Sequence, residues 1–337
     1  MRRFADFAQR ISQTAEETGF SGTISIRQGE EDLYSRSFGF RMVGEKLPNG
    51  ITTRFGIASG TKLLTALGIG RLIDSGDLSL AAGVGQFGAD LGGFIGEQAT
   101  VRDLLTHTSG IYDYYDEELV TDFEHYTVGI PWSRLETPSD YLPLFENQTM
   151  KFRPGRRFSY SNGGYVLLGV IIERVSGGLY RDFIERNLLV DAGMASSGFH
   201  AFNELPANTA WGYLRDRSTT NIHNLPIRGG GDGGMYSTAE DMHTLWRRLF
   251  SCSLLSSELT EDYLRTHQQL DATRGYGLGV YKSLDDRSFW VVGSDVGVGF
   301  FSSYSPPNDT SVAVLSNITD GQRMIATFIN EQMKGGA

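Results

Sequence analysis

Strand-forming sequence lies at both ends of this chain of 337 residues, and the middle is mostly helical. Residues 21–28 and 32–40 alternate apolar and polar side chains around Gly29-Glu30-Glu31, which predicts a hairpin. The strand signal returns only at 276–282, 288–293, 299–305 and 311–317, with Pro306-Pro307-Asn308-Asp309 marking a turn. Phe4, Phe7, Ala8, Ile11 and Ala15 recur at helical spacing near the start. Met324, Ile325, Phe328 and Ile329 do the same near the end. Between them lie a strongly helical stretch from Ser59 to about Ser75, helical fragments near 101–107, 139–147 and 163–176, and a helix from Ser237-Thr238-Ala239-Glu240 to about Phe250. Two-layer packing rules favour one solution: an α/β (α+β) fold whose antiparallel sheet draws strands from both termini. Helices flank that sheet, and a mostly helical subdomain is inserted into it. The expected division is 1–66 and 235–337 for the sheet domain and 67–234 for the helical subdomain, with an active site in the cleft between them.

Charge narrows the partners. The formal net charge is −10, and no basic stripe is present, so nucleic acid and anionic membrane are not expected. Cys252 is the single cysteine. It can form no internal disulfide, and it excludes a zinc site built on several cysteines. His125, His200, His223, His243 and His267 lack metal-ligand spacing. Gly229–Gly234 lacks the Lys-Ser/Thr ending of a phosphate loop and reads as close-packed backbone near a cleft. No metal or organic cofactor is expected. Met1-Arg2-Arg3 is followed by Asp6, Gln9, Arg10, Gln13 and Glu16 rather than an apolar core, so a signal peptide is not indicated. The expectation is a cytoplasmic protein, or one whose export signal has been removed.

Two short motifs carry chemistry. Ser59-Gly60-Thr61-Lys62 starts a helix, and a spacing of three puts Ser59 and Lys62 on one face. A serine hydroxyl needs a base beside it, and a lysine serves only when its pKa falls. Taken alone, the pattern is weak and is better read as an N-cap serine with a solvated lysine. Tyr160-Ser161-Asn162 supplies a phenol able to share a proton with a lysine and an amide able to orient neighbours. Taken alone, it also fits a turn before a helix.

Together these motifs resemble the Ser-x-x-Lys and Tyr-x-Asn signatures of the serine β-lactamase-like and penicillin-binding protein superfamily: class C β-lactamases, esterases and DD-peptidases. Leu104-Leu105-Thr106-His107-Thr108-Ser109-Gly110, Phe152 to Gly169, and Gly234 to Met242 resemble further stretches of that superfamily, in its order and spacing. The resemblance spans roughly residues 20–320. It implies that Ser59 is the acylated nucleophile and that Lys62 and Tyr160 handle its proton. It implies that Asn162 positions substrate, and that the Ser59 backbone N–H forms half of an oxyanion hole. His107 is expected to buttress its loop.

One signature departs. The superfamily carries a Lys or His, a small residue and Gly on an edge strand facing the nucleophile. The ungapped match is Val291-Val292-Gly293, with the Ser294 N–H completing the oxyanion hole. A gapped register puts Ser294 at the basic position. Neither register supplies a charge, which disfavours substrates recognised through a carboxylate. The expected function is hydrolysis of an ester, amide, peptide or β-lactam bond through an acyl-enzyme, on a small-molecule or peptide substrate. The alternative is a weakly catalytic or non-catalytic ligand-binding protein on the same fold.

Overall fold

The computed structural model describes residues 2–92 and 99–334. An eight-stranded antiparallel sheet organises it. In chain order its strands are β1 (Gly22–Gln28), β2 (Glu31–Phe38), β3 (Gln268–Gln269), β4 (Arg274–Tyr276), β5 (Tyr281–Ser283), β6 (Phe289–Asp295), β7 (Val298–Ser305) and β8 (Thr310–Ser316). Their spatial order is β2-β1-β8-β7-β6-β5-β4-β3. The N-terminal hairpin therefore pairs with the last strand, Ile24 opposite Val314. Both termini build one sheet, as the sequence pattern predicts.

Period-two alternation divides the central strands between two cores. Phe300, Ala313 and Leu315 join the larger cluster on one face. Phe301, Val312 and Val314 point to the other face, where Ile11 of helix α1 (Arg2–Glu17) and Ile325 and Ile329 of the C-terminal helix (Arg323–Lys334) cover them. On the larger-core side lie α2 (Thr61–Asp74), α3 (Asn162–Ser176) and α4 (Ala239–Phe250). Helix α4 is capped by Thr238, whose side chain accepts from the Asp241 N–H. It is fixed to the sheet by Trp246 Nε1 donating to Ser302 Oγ at 2.9 Å. Helix α2 is apolar on nearly every side and buried accordingly.

Several elements differ from the sequence pattern. The run 276–282 is interrupted after Tyr276, because Gly279 turns with φ +85° and separates β4 from β5. The fragment near 139–147 is a 3-10 turn over Pro138–Leu144, with prolines at both ends of that span. The helix at 101 ends at Leu105, and His107 takes a left-handed φ of +56°. Strand β6 runs on to Asp295, two residues beyond the apolar pattern. The helix Ser257–Leu264, capped by Ser256, has no counterpart in that pattern. Among the described residues, no helix is long and apolar enough to cross a membrane.

Candidate active site

Ser59 sits in a 3-10 turn, Ala58–Gly60, that runs directly into α2. Three neighbours fix this turn. Gly56 pairs with Tyr236, the Ile57 N–H donates to Met235 O at 2.9 Å, and Thr61 Oγ1 donates to Ala58 O at 2.7 Å. Ala58 itself is held at φ +43°, a left-handed conformation that costs a non-glycine residue about 1 kcal/mol or more. The neighbouring positions must be small. A Cβ on Gly60 would run into the Phe300 ring. One on Gly293 would meet Ile57 O and lie 3.0 Å from Ser59 N. Strand β6 therefore lies against the Ser59 turn through Gly293.

Lys62 is 2% exposed. Its Nζ lies 2.8 Å from Ser59 Oγ, 2.7 Å from Asn162 Oδ1 and 2.6 Å from the Asp232 carbonyl oxygen. Burial lowers its pKa, against the pull of Asp232 and other nearby carboxylates. A neutral amine suits this position. As an ammonium Nζ donates to all three oxygens; as a neutral amine it can keep the bonds to Asn162 and Asp232 and turn its lone pair to the Ser59 hydroxyl.

The Ser59 side chain bears on the Tyr160 phenol and slightly favours its ionised form. The Tyr160 pKa nonetheless rises well above that of a free phenol, chiefly through burial and then through Glu117. The phenol stays protonated. Behind it His107 is buried, and its Nδ1 accepts the Ser161 N–H at 3.0 Å. The ring proton is thereby placed on Nε2, which donates to Tyr276 OH at 3.0 Å. Burial, then Lys62, lowers the His107 pKa far below the ordinary value, so the imidazole is neutral.

Asn162 begins α3, where Ser161 Oγ caps the helix by accepting from the Gly164 N–H at 3.0 Å. The Asn162 amide donates to Tyr115 O at 2.8 Å and Glu117 Oε1 at 3.3 Å, which orients Oδ1 toward Lys62. Its amide hydrogens are thus committed within the protein, and its direct effect is on Lys62. Asp113 anchors the same helix start. Its carboxylate accepts from the N–H groups of Asn162 (2.7 Å), Gly163 (2.9 Å) and Tyr115 (3.1 Å), while burial lifts its pKa to about 6.

The structure thus brings Ser59, Lys62, Tyr160 and Asn162 together. On β6, Gly293 backs Ser59, and Ser294 lines the same hollow as Ser59, Asn162 and Asp295. Val291 is buried in the larger core and Val292 is 38% exposed; neither lines that hollow. Ser294 Oγ is turned to Asp320. Asp232 is the participant that motif reading passed over. The glycine run around it packs backbone on backbone: Gly231 lies against Tyr165 O, and Gly229 against Gly234. This closeness delivers the Asp232 carbonyl to Lys62 and its carboxylate to Tyr114 OH, at 2.6 Å. An acidic residue inside a glycine run was the available signal.

A serine turn ahead of a buried helix, a Tyr-x-Asn corner and a strand laid against that turn, paired with β5 only at Phe289 and Trp290, define the penicillin-binding, serine β-lactamase-like class. The family model described as Beta-lactamase matches residues 7–331, and the chain belongs to that family. It is 28% identical over 323 residues to a putative penicillin-binding protein, PbpX, of Bacillus subtilis, covering 95% of this chain and 76% of that protein. The crystal structure of a penicillin-binding protein from Bacillus halodurans superposes with a TM-score of 0.90 at 39% identity, covering 96% and 99% of the two chains. D-amino acid amidase from Ochrobactrum anthropi shares the fold, with a TM-score of 0.82 at 20% identity over 98% and 99% of the chains.

Proposed function

We propose that this chain is a serine hydrolase that opens an ester or amide bond, β-lactams included, through an acyl-enzyme on Ser59. The supporting observation is the position of Lys62, whose neutral form can spend both N–H groups on Asn162 and Asp232 while its lone pair meets Ser59. In the first step Ser59 Oγ bonds to the substrate carbonyl carbon and its proton passes to Lys62 Nζ. The oxyanion accepts hydrogen bonds from the backbone N–H groups of Ser59 and Ser294. The bond to the leaving group then breaks. The departing atom takes the Tyr160 proton, and the Lys62 ammonium restores it. Water next attacks the acyl carbon, giving its proton back through the same pair, and Ser59 is released with its hydrogen.

Among the described residues no Lys or Arg lines the hollow that holds Ser59, which favours substrates that need no carboxylate clamp. Turnover of a p-nitrophenyl ester tests the reading. The wild type should release p-nitrophenol catalytically, and Ser59→Ala should lose at least about 10³-fold. Wild-type turnover no faster than Ser59→Ala would leave the binding-protein alternative standing.

A further inference from the structure

Behind the hollow that holds Ser59 lies a second chamber, about 690 Å3 of empty space with its mouth included. The two share Tyr114, Leu225, Pro226, Asp232, Gly233 and Asp295. Phe202, Ile227 and Val298 give the chamber apolar walls. Its polar lining sets the hydroxyls of Tyr114, Tyr141 and Tyr236 and the His200 ring beside the acceptors of Asn221, Asp232 and Asp295. Asn221 is buried at 2% exposure; its Nδ2 donates to Val296 O at 2.7 Å, but its Oδ1 has no partner. Asp232 contributes a carboxylate already bonded to Tyr114. Asp295 stands beside Val296, on whose carbonyl Asn221 is moored, and opens to both spaces. Glu117 borders the outer hollow. Among the described residues no Lys or Arg lines either space. A buried acceptor without a donor, in a chamber lined by two carboxylates, calls for a cationic donor.

We propose that the cleft takes substrates whose apolar body carries a primary ammonium group, paired with the Asp295 carboxylate and donating to Asn221 Oδ1. This deepens the hydrolase reading and rests on it. The ammonium supplies up to three donors, enough for both acceptors. A substrate carboxylate would instead meet Asp232, Asp295 and Glu117 with no protein cation on the lining.

Asp295 faces Tyr115 OH at 3.3 Å and the Val296 N–H at 2.9 Å. The charges of Asp232 and Glu117 bear on it, and it in turn acts on Lys62. Burial, more than these neighbours, lifts its pKa to about 7. Ammonium binding should therefore strengthen as pH rises from 6 to 8, a range in which an alkylamine with a pKa of ~10 stays charged.

The test uses three inhibitors of one body and different heads: phenethylamine, 3-phenylpropan-1-ol and 3-phenylpropionate. Each competes with p-nitrophenyl acetate on the full chain. Phenethylamine should inhibit at a concentration at least tenfold below either other compound, with the advantage growing from pH 6 to pH 8. Asp295→Asn should reduce that advantage to less than threefold. Equal or weaker inhibition by the amine, with the ester still turned over, overturns the proposal and leaves the hydrolase reading intact. Absence of ester turnover defeats the hydrolase reading instead; calorimetric titration of the same three compounds then decides the amine preference. The wild-type comparison requires no variant to fold.

Discussion

The His107 ring packs against the Tyr160 ring with centroids 4.4 Å apart, while its Nδ1 receives the N–H of the very next residue, Ser161. One neutral imidazole thus fixes both the face of the phenol and the backbone that carries it. His107→Asn tests this positioning role, because asparagine tolerates the left-handed backbone at +56° but supplies no ring. The expected result is a kcat reduced about 10- to 100-fold, comparable to displacing a general acid or base, with KM changed less than threefold. A free-standing base at this position would instead give a pH limb near 6.5 that disappears in the variant; none is expected, since burial keeps His107 neutral.

Tyr160 holds its proton tightly, so its contribution should depend on how much the leaving group needs one. Tyr160→Phe should slow hydrolysis of an alkyl amide by roughly 10²-fold or more. A p-nitrophenyl ester, whose leaving group departs as an anion, should lose less than tenfold. Equal losses with both substrates would contradict the donor role.

Lys62 predicts the pH dependence. Its pKa is depressed by burial, and only the neutral amine accepts the Ser59 proton. The log of kcat/KM should rise with pH on a single acid limb whose midpoint lies below the ordinary lysine value, with no alkaline limb from Tyr160 below about pH 10. The linkage has the same sign: the unfolded chain binds the Lys62 proton more readily, so this group's contribution is lost as pH falls through its folded pKa. Lys62→Arg, permanently charged, should be inactive at every pH.

Asp295 gives the opposite sign. Its folded pKa of about 7 lies above the unfolded value. Between those values the folded protein binds more protons, and that contribution fades as pH rises through 7. Asp295→Asn should therefore raise Tm relative to the wild type at pH 8, with the gain shrinking toward pH 5. A gain larger at pH 5 would reverse the argument.

Asp113 accepts three backbone N–H groups at the start of α3. Asp113→Ala leaves them without that partner and should cost about 1–3 kcal/mol in denaturant unfolding. Asn162 sits on that helix start and Tyr115 supplies its acceptor, so kcat should fall as well. Unchanged stability would remove Asp113 from the support of Asn162.

The sheet was legible because β1 alternates Ile24 and Ile26 with Thr23, Ser25 and Arg27, because β7 and β8 are short strand-forming runs buried along nearly their whole length, and because Gly29 and Pro306-Pro307 punctuate them. Ser59, Lys62, Tyr160 and Asn162 were legible because short motifs preserve their spacing. Asp232 and Asp113 were legible only as places, one in a glycine run near the cleft and one in an aromatic, acidic cluster, since their effects come through a backbone carbonyl and through caps on a distant helix, which no motif records. The strand facing Ser59 was only partly legible: it was expected at the sheet edge, but β6 lies between β7 and β5, pairing with β5 only at Phe289 and Trp290. Gly293 abuts Ser59, but Val291 turns into the core, so Val291→His should destabilise the fold by burying a polar ring rather than supply the absent cation. The residues that present polar groups to the cleft, Ser294 and Asp295, follow the apolar run that marked the strand.

The measurement closest to the central claim is intact-mass analysis after exposure to a fluorophosphonate, followed by peptide mapping. The wild type should gain one phosphonyl adduct on the peptide containing Ser59. Ser59→Ala should gain none, and Lys62→Met should label at least about 10³-fold more slowly. An adduct on another residue, or wild-type labelling no faster than Ser59→Ala, would contradict the assignment of Ser59 as a nucleophile activated by Lys62.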